Sequence, residues 1–311
     1  MKKVSIEMMT GRLAAAFALS LIGSAAFAQV QLSGRVDQSV IKSSPGNWEM
    51  KNGSASRLIM RGEEDVGNGT KAYFYLQQRF EADTGASRAG PFWYYSYLGL
   101  KGAYGNLSLG HQKSPIDDAT GSDYEVWDGD TVASSVSRIA GGQKIWDNSI
   151  NYTSPAFAGF RINTGMSADE GVAKTVRGQG ASLLYDNGGF STSVSTQRSP
   201  TDVQTNAIGG RYVDSERGYR VMGTWARSKR VAGTKEQTDW QISAGYFVTQ
   251  AGEVRALYNQ SQLPGVKTRQ YGLGYFHTLS KRTALYTATS HTTVDGKPTV
   301  NAYQAGIRHL F

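Results

Sequence analysis

From Val30 to Phe311 the chain repeats one theme: segments of about ten residues alternate apolar and polar positions, and turn residues separate them. In "SRLIMRGEED", Leu58 and Met60 fall on one side and Arg57 and Arg61 on the other. In "KAYFYLQQRF", Ala72, Phe74, Leu76 and Phe80 oppose Lys71, Tyr73, Tyr75, Gln77 and Arg79. The same period runs through "FRINTGM", "GYRVMGTWAR", "WQISAGYF", "EVRALYNQ", "YGLGYFHT" and "ALYTATSH". No amphipathic helical run of useful length interrupts it. The pattern predicts an all-β chain of sixteen strands. They start near Val30, Ala55, Thr70, Phe92, Gly105, Asp147, Ala158, Arg177, Gly189, Gln204, Gly218, Gln237, Gly252, Thr268, Arg282 and Asn301. Asn187-Gly188-Gly189 and "TLSKRT" at 278–283 read as short turns between them.

The chemistry of the two faces selects the architecture. A soluble sandwich of this length would divide into domains, yet no linker breaks the alternation. One face carries Arg, Lys, Glu, Asp or Gln in nearly every strand, and the other is rich in aromatic and aliphatic residues. That suits a transmembrane antiparallel β-barrel with apolar side chains toward lipid and polar ones toward a lumen. Lipid forbids unpaired backbone groups, so the sheet must close on itself. Closure accounts for the last segment, "NAYQAGIRHLF", which keeps its alternation up to Phe311: the last strand is expected to pair with the first. Sixteen strands at ~10 residues each leave room for short turns and longer external loops, and sixteen is a number that encloses an aqueous channel.

Composition adds the compartment. Residues 1–28 read as a cleaved secretory signal peptide: a cationic "MKKVSIEMMTGR", an apolar "LAAAFALSLIGSA" too short to span a bilayer, and "AFA" before Gln29. Residues 29–311 then form one barrel domain. The removed piece holds Lys2, Lys3 and Arg12 against Glu7, so the net charge falls by two, from +8 to +6. This basic balance does not imply nucleic acid, because the charges form no block or stripe and an exported protein rarely meets any. Without cysteine, neither disulfides nor thiolate–metal sites contribute to stability.

The longest connection, 112–146, exceeds ordinary loop length and is therefore functional or disordered. It carries Asp117, Asp118, Asp123, Glu125, Asp128 and Asp130. A solvated acidic loop, a loop that constricts the channel and a cation site are all compatible with it. The spacing lacks the glycine and terminal glutamate of an EF-hand, and no metal or other cofactor is expected.

Several stretches resemble the general porins of Gram-negative outer membranes. They are "LSGRVD" (32–37), "SRLIMRGEEDVGNGTKAYFYLQQRF" (56–80), "YLGLKGAYGNLSLGHQ" (97–112), "WDNSINYTSPAFAGFRI" (146–162), "YGLGYFHTLSKRTALYTATS" (271–290) and the terminal "AGIRHLF". Their order and spacing cover essentially all of the mature chain. The resemblance implies a sixteen-stranded barrel, a homotrimer set in outer-membrane lipid and lipopolysaccharide, and a third external loop folded into the lumen. It also implies that Phe311 resembles the signal by which the outer-membrane assembly machinery selects its clients. Small hydrophilic solutes and ions would diffuse passively through such a channel.

The resemblance further implies a basic ladder on the wall facing the loop. By motif, Arg35 in "SGR", Arg57 in "SRL" and Arg138 in "SSVSR" take three rungs, and Arg61 and Arg79 share the lumenal parity of their strands. Where the family often carries another arginine this chain has Tyr94, and His111 stands where an arginine is common. Opposite the ladder, Asp118, Asp123 and Asp128 are the carboxylates expected to point inward. Opposed walls of this kind set up a transverse field that favours polar solutes, and five arginines against three acids suggest a weak anion preference.

No catalytic motif accompanies this pattern. The four histidines lie on distant segments, and Ser290-His291 is the only pair that could suggest a hydrolase. An alternative is a channel specific for a sugar or organic acid. The run "FWYYSY" at 92–97 supports that idea, although an interfacial aromatic girdle explains the same residues.

Overall fold

The computed structural model describes residues 30–121, 124–129, 131–136, 143–168, 176–231, 233 and 236–311. Alternation of side chains along each segment produces strands, as the pattern requires. The first six are β1 (Gln31–Ser43), β2 (Trp48–Asn52), β3 (Ser56–Gly67), β4 (Thr70–Phe80), β5 (Tyr95–Gly102) and β6 (Gly105–Lys113). After the long connection come β7 (Ile145–Thr153), β8 (Phe160–Ser167), β9 (Gln179–Asn187), β10 (Phe190–Arg198) and β11 (Val203–Asp214). The remainder are β12 (Tyr219–Arg230), β13 (Glu236–Phe247), β14 (Gly252–Leu263), β15 (Val266–Thr278), β16 (Thr283–Val294) and β17 (Val300–Leu310).

Seventeen segments make sixteen staves. β2 pairs with the upper half of β1 and β3 with its lower half, so the two are one stave broken at Gly53–Ala55. Every other neighbour in sequence pairs antiparallel, and β1 pairs with β17 from Arg35↔Leu310 to Ser43↔Ala302, which closes the sheet. The observed starts fall within three residues of the expected ones. Gly188 and Gly189 form the two-residue hairpin expected there, with φ of +58° at Gly188. The loops at the opposite end are shorter than expected in places, because strands run to thirteen residues; Pro264-Gly265 alone joins β14 to β15.

Exposure confirms that the barrel is turned inside out. Along β1 the inward Arg35, Asp37 and Ser39 are at most 5% exposed, whereas Leu32, Val36 and Val40 are 37–62% exposed on the outer face. Aromatic clusters lie on that face near both ends of the barrel. Phe160, Tyr185 and Phe190 pack in sequence near the short turns, and Trp240, Tyr258 and Tyr271 do so toward the other end. Such rings suit the two membrane–water interfaces.

Closure is secured on both faces. In the lumen, Asp37 accepts hydrogen bonds from Arg308 Nε (2.7 Å) and the Tyr286 hydroxyl (2.6 Å), and Gln304 Nε2 donates to Ser39 Oγ (3.0 Å). At the edge, Gly34 N donates to the Phe311 carbonyl (2.9 Å) and Phe311 N to the Gly34 carbonyl (3.2 Å). The Phe311 ring lies over Gly34, where any side chain would strike it.

Candidate functional site in the barrel lumen

The described parts of the long connection between β6 and β7 lie against the inner wall. Just after β6, a short π-helical turn, Asp117–Gly121, meets β9, β10 and β11. Thr120 Oγ1 there lies 3.0 Å from the hydroxyls of both Ser193 and Ser195. Further on, Val126 N donates to Ser243 Oγ (3.2 Å), Val132 N to Gln304 Oε1 (2.8 Å) and Val136 N to Gln270 Oε1 (3.2 Å). The loop also buries an apolar side: Val126, Trp127 and Ala133 pack with the inward Met222, Leu257 and Ala288. At Gly209 the wall leaves the space that the Tyr124 ring fills. Polar anchors and this dry patch together hold the loop, which a lumen lined only with charges could not do.

One ion cluster supports that seat. Glu253, buried on β14, accepts from Arg220 Nε (2.6 Å) and Arg255 Nε (2.7 Å). Arg220 also donates to the Val126 carbonyl (3.5 Å), and Arg255 lies over the Trp127 ring. Both arginines thereby couple Glu253 to the loop.

Facing the loop, register places three arginines level on adjacent staves: Arg35 is paired with Arg57, and Arg57 with Arg79. Like charges directly opposite one another oppose strand pairing, so this row is a local cost that a function must offset. The row borders a cavity of about 790 Å³. Among its described lining residues, Arg35, Arg57, Arg79, Arg88, Lys51, Lys113 and Lys144 are basic, and Glu81, Asp83, Asp117 and Asp128 are acidic. Arg79 lies over the Tyr94 ring, 3.3 Å from its centroid, so the tyrosine in the missing rung supports a neighbouring one.

The other expected residues are distributed differently. Arg61 donates to Gln31 Oε1 (3.0 Å) and sits four residues from Arg57, ~13 Å along the strand, outside that cavity. Asp128 lines the cavity at a turn with φ of +56°. Asp118 faces a second cavity and accepts from Asn163 Nδ2 (2.7 Å); its neighbour Asp117 lines the first. Asp123 and Arg138 lie outside the described residues. Glu125 is 3% exposed and accepts from Ser135 N, inside the loop. His111 is not a lumenal charge: it is paired with Ser96 on the face of Leu98 and Leu109, with Nδ1 2.5 Å from Asp147 Oδ1.

Sequence reading missed Lys113 and Lys144, whose positions at the loop's two roots were their only signal, and it named Asp117 among the loop's acids without choosing it as an inward one. Ser290 and His291 point to opposite faces, the first buried inward and the second outward beside Asn301, so they form no catalytic pair. Within "FWYYSY", Tyr95 and Tyr97 turn into the lumen, which the girdle explanation does not allow. Among the described residues, no group of three or more His, Cys, Asp or Glu side chains is placed to hold a metal ion.

Comparison with known proteins agrees with this architecture. The family model described as Gram-negative porin matches residues 14–297. Outer membrane porin protein 32 of Delftia acidovorans is 32% identical over 262 residues, covering 75% of this chain and 73% of that protein. The solved anion-selective porin from Comamonas acidovorans superposes with a TM-score of 0.78 at 26% identity, covering 91% of this chain and all of the other. OmpT of Vibrio cholerae, solved in a trimer form, shares the fold with a TM-score of 0.70 at 13% identity, over 91% of this chain and 99% of that one.

Proposed function

We propose how the pore works on the premise that this chain belongs to the Gram-negative porin family. It is an outer-membrane channel for passive diffusion, and it is not an enzyme. In our reading the 114–144 loop makes the narrowest section, where Arg35, Arg57 and Arg79 face Asp117 and Asp128 across the passage. Arg138 belongs to the same section by motif and Asp123 as an inward loop carboxylate, Asp118 lies on its short-turn side, and Arg61 acts as a further rung nearer the short turns. Tyr94 contributes by holding Arg79.

The level row of three arginines is the observation that carries this reading. Seven basic side chains against four acidic ones around one cavity give the passage a positive potential. Small hydrophilic anions should therefore pass more readily than cations. Anion selectivity in the Comamonas acidovorans porin, a relative in sequence and fold, supports the same sign. Planar-bilayer conductance under a salt gradient tests it: a zero-current potential of cation-selective sign refutes the assignment.

The assembly belongs to the same proposal. The chain forms a homotrimer embedded in lipid and lipopolysaccharide, after removal of residues 1–28 as a signal peptide. Phe311, docked on Gly34, is read by the assembly machinery before the barrel closes. Mild-detergent sedimentation that finds only monomer refutes the trimer.

A further inference from the structure

At the short-turn end of the lumen, two side-chain clusters share one design. In the first, Glu63 on β3, Lys71 on β4 and Lys101 on β5 hold inward positions close to the turns. Lys71 and Lys101 stand directly opposite one another in the β4–β5 register, a placement of like charges that opposes strand pairing. Glu63 bridges them: Oε1 accepts from Lys71 Nζ (2.7 Å) and Oε2 from Lys101 Nζ (2.5 Å). Lys101 also lies over the Tyr73 ring, 5.6 Å from its centroid. In the second cluster, Asp186 on β9 and Arg211 on β11 are each paired with the inward Ser191. Asp186 stands between Arg161 of β8 (2.7 Å) and Arg211 (3.9 Å).

One carboxylate between two cations leaves one positive charge uncompensated in each cluster. The six side chains are 39–46% exposed, so that charge faces water. Asp65 shares the lumenal parity of Glu63 but turns its carboxylate onto the Gly67 amide (2.8 Å), and Arg61 offsets its charge. Glu63 lies six residues from Arg57 along β3, ~20 Å away. Tyr73, Tyr75, Tyr95 and Tyr97, which line the second cavity, occupy the wall between. The Debye length is ~10 Å at 0.1 M salt, so the mouth and the arginine row act as separate fields. Neither barrel closure nor the loop seat uses these six side chains, and the opposed lysines are a local cost that a function must offset.

We propose that the two clusters form a second anion-attracting station at the short-turn mouth, specific for small inorganic and carboxylate anions. Glu63 and Asp186 are its internal counter-ions: each holds two cations beside the passage and neutralises only one. Anions leaving the arginine row, or entering from the short-turn side, pair with the charge left over. This deepens the anion-channel reading and rests on it. The station makes selectivity depend on the solution at that mouth as well as on the row.

The experiment measures reversal potentials of single channels in planar bilayers under a gradient of potassium chloride, about 0.1 M against about 1 M, reversed by perfusion. At ~1 M the Debye length is ~3 Å and the station is screened, whereas at ~0.1 M it acts. A unit charge roughly 8 Å away in water changes local ion concentration about twofold. The double variant Lys71→Gln, Lys101→Gln should therefore lower the anion-to-cation permeability ratio about twofold or more in one gradient direction and little in the other. Arg161→Gln with Arg211→Gln should repeat that loss, and Glu63→Gln should raise the ratio in the same direction. A distorted barrel cannot mimic changes of opposite sign; if the lysine variant does not insert, the other two decide. Ratios unchanged in every variant overturn the station, and so do ratios changed equally in both directions, which mark diffuse net charge. Wild-type protein that conducts nothing, or prefers cations, fails before any variant is compared and sinks the anion-channel reading and the station together.

Discussion

The Arg79 guanidinium lies over the ring of Tyr94, 3.3 Å from its centroid, at the end of a row in which Arg35, Arg57 and Arg79 stand level on three staves. A position where the family often carries a charge here holds an aromatic that supports one. Tyr94→Arg should therefore add charge to the basic wall and move the zero-current potential further toward anions. Tyr94→Ala should remove roughly 0.5–1 kcal/mol of support from Arg79 without unfolding the barrel. Reversal potentials of the two variants that do not differ would show that Tyr94 stands away from the ion path.

Arg57 occupies the middle of the row, and no described residue forms an ion pair with it. Arg57→Glu reverses its charge, a swing worth about 2 kcal/mol at 4 Å in water before screening. Anion preference should fall severalfold or invert while heat stability changes little. If Arg57→Glu and Arg138→Glu both leave the reversal potential in place, the row is not the selective section.

Ionic strength provides a test without mutation. The Debye length shrinks from ~10 Å at 0.1 M to ~3 Å at 1 M salt. Selectivity carried by wall charges should decline steadily over that range. Preference that is independent of salt would point to size or to solute binding.

Glu253 holds Arg220 and Arg255, and through them the loop at Val126 and Trp127. Glu253→Gln leaves two buried or half-buried guanidiniums without their carboxylate. Current noise and voltage-induced closure should increase, with stave pairing preserved in the circular-dichroism spectrum. Traces as quiet as the wild type would assign the seating to the apolar patch alone.

Barrel closure depends on Asp37, which is fully buried between Arg308 and Tyr286. Arg308→Met would strand that carboxylate and should cost about 3 kcal/mol, lowering the temperature at which the folded form disappears on semi-native gels. Phe311→Asp acts on the other face, setting a charge against Gly34 at the lipid edge, and should reduce outer-membrane levels. Normal levels of that variant would remove the assembly role from Phe311.

Much of the barrel was legible because a strand's two faces are a local property. Period 2 assigns Leu58 and Met60 to lipid and Arg57 and Arg79 to the lumen without reference to any partner, and turn residues mark the ends. Sixteen staves and their starts follow from that alone. Less visible was the break at Gly53–Ala55, since both halves of the stave alternate normally and only their common partner β1 joins them.

What required the tertiary structure was the meeting of residues distant in sequence. Parity permits Arg35, Arg57, Arg61 and Arg79 equally, but register sets three of them level and leaves Arg61 two lumenal positions away. Asp117 and Asp118 are neighbours in an irregular loop with no period to sort them, yet one faces the arginine cavity and the other the tyrosine cavity. The pairing of Asp37 with Arg308, 271 positions apart, exists only because the sheet closes. Alternation is written into each ten-residue segment; register and loop path are set by contacts that form only once the staves are assembled.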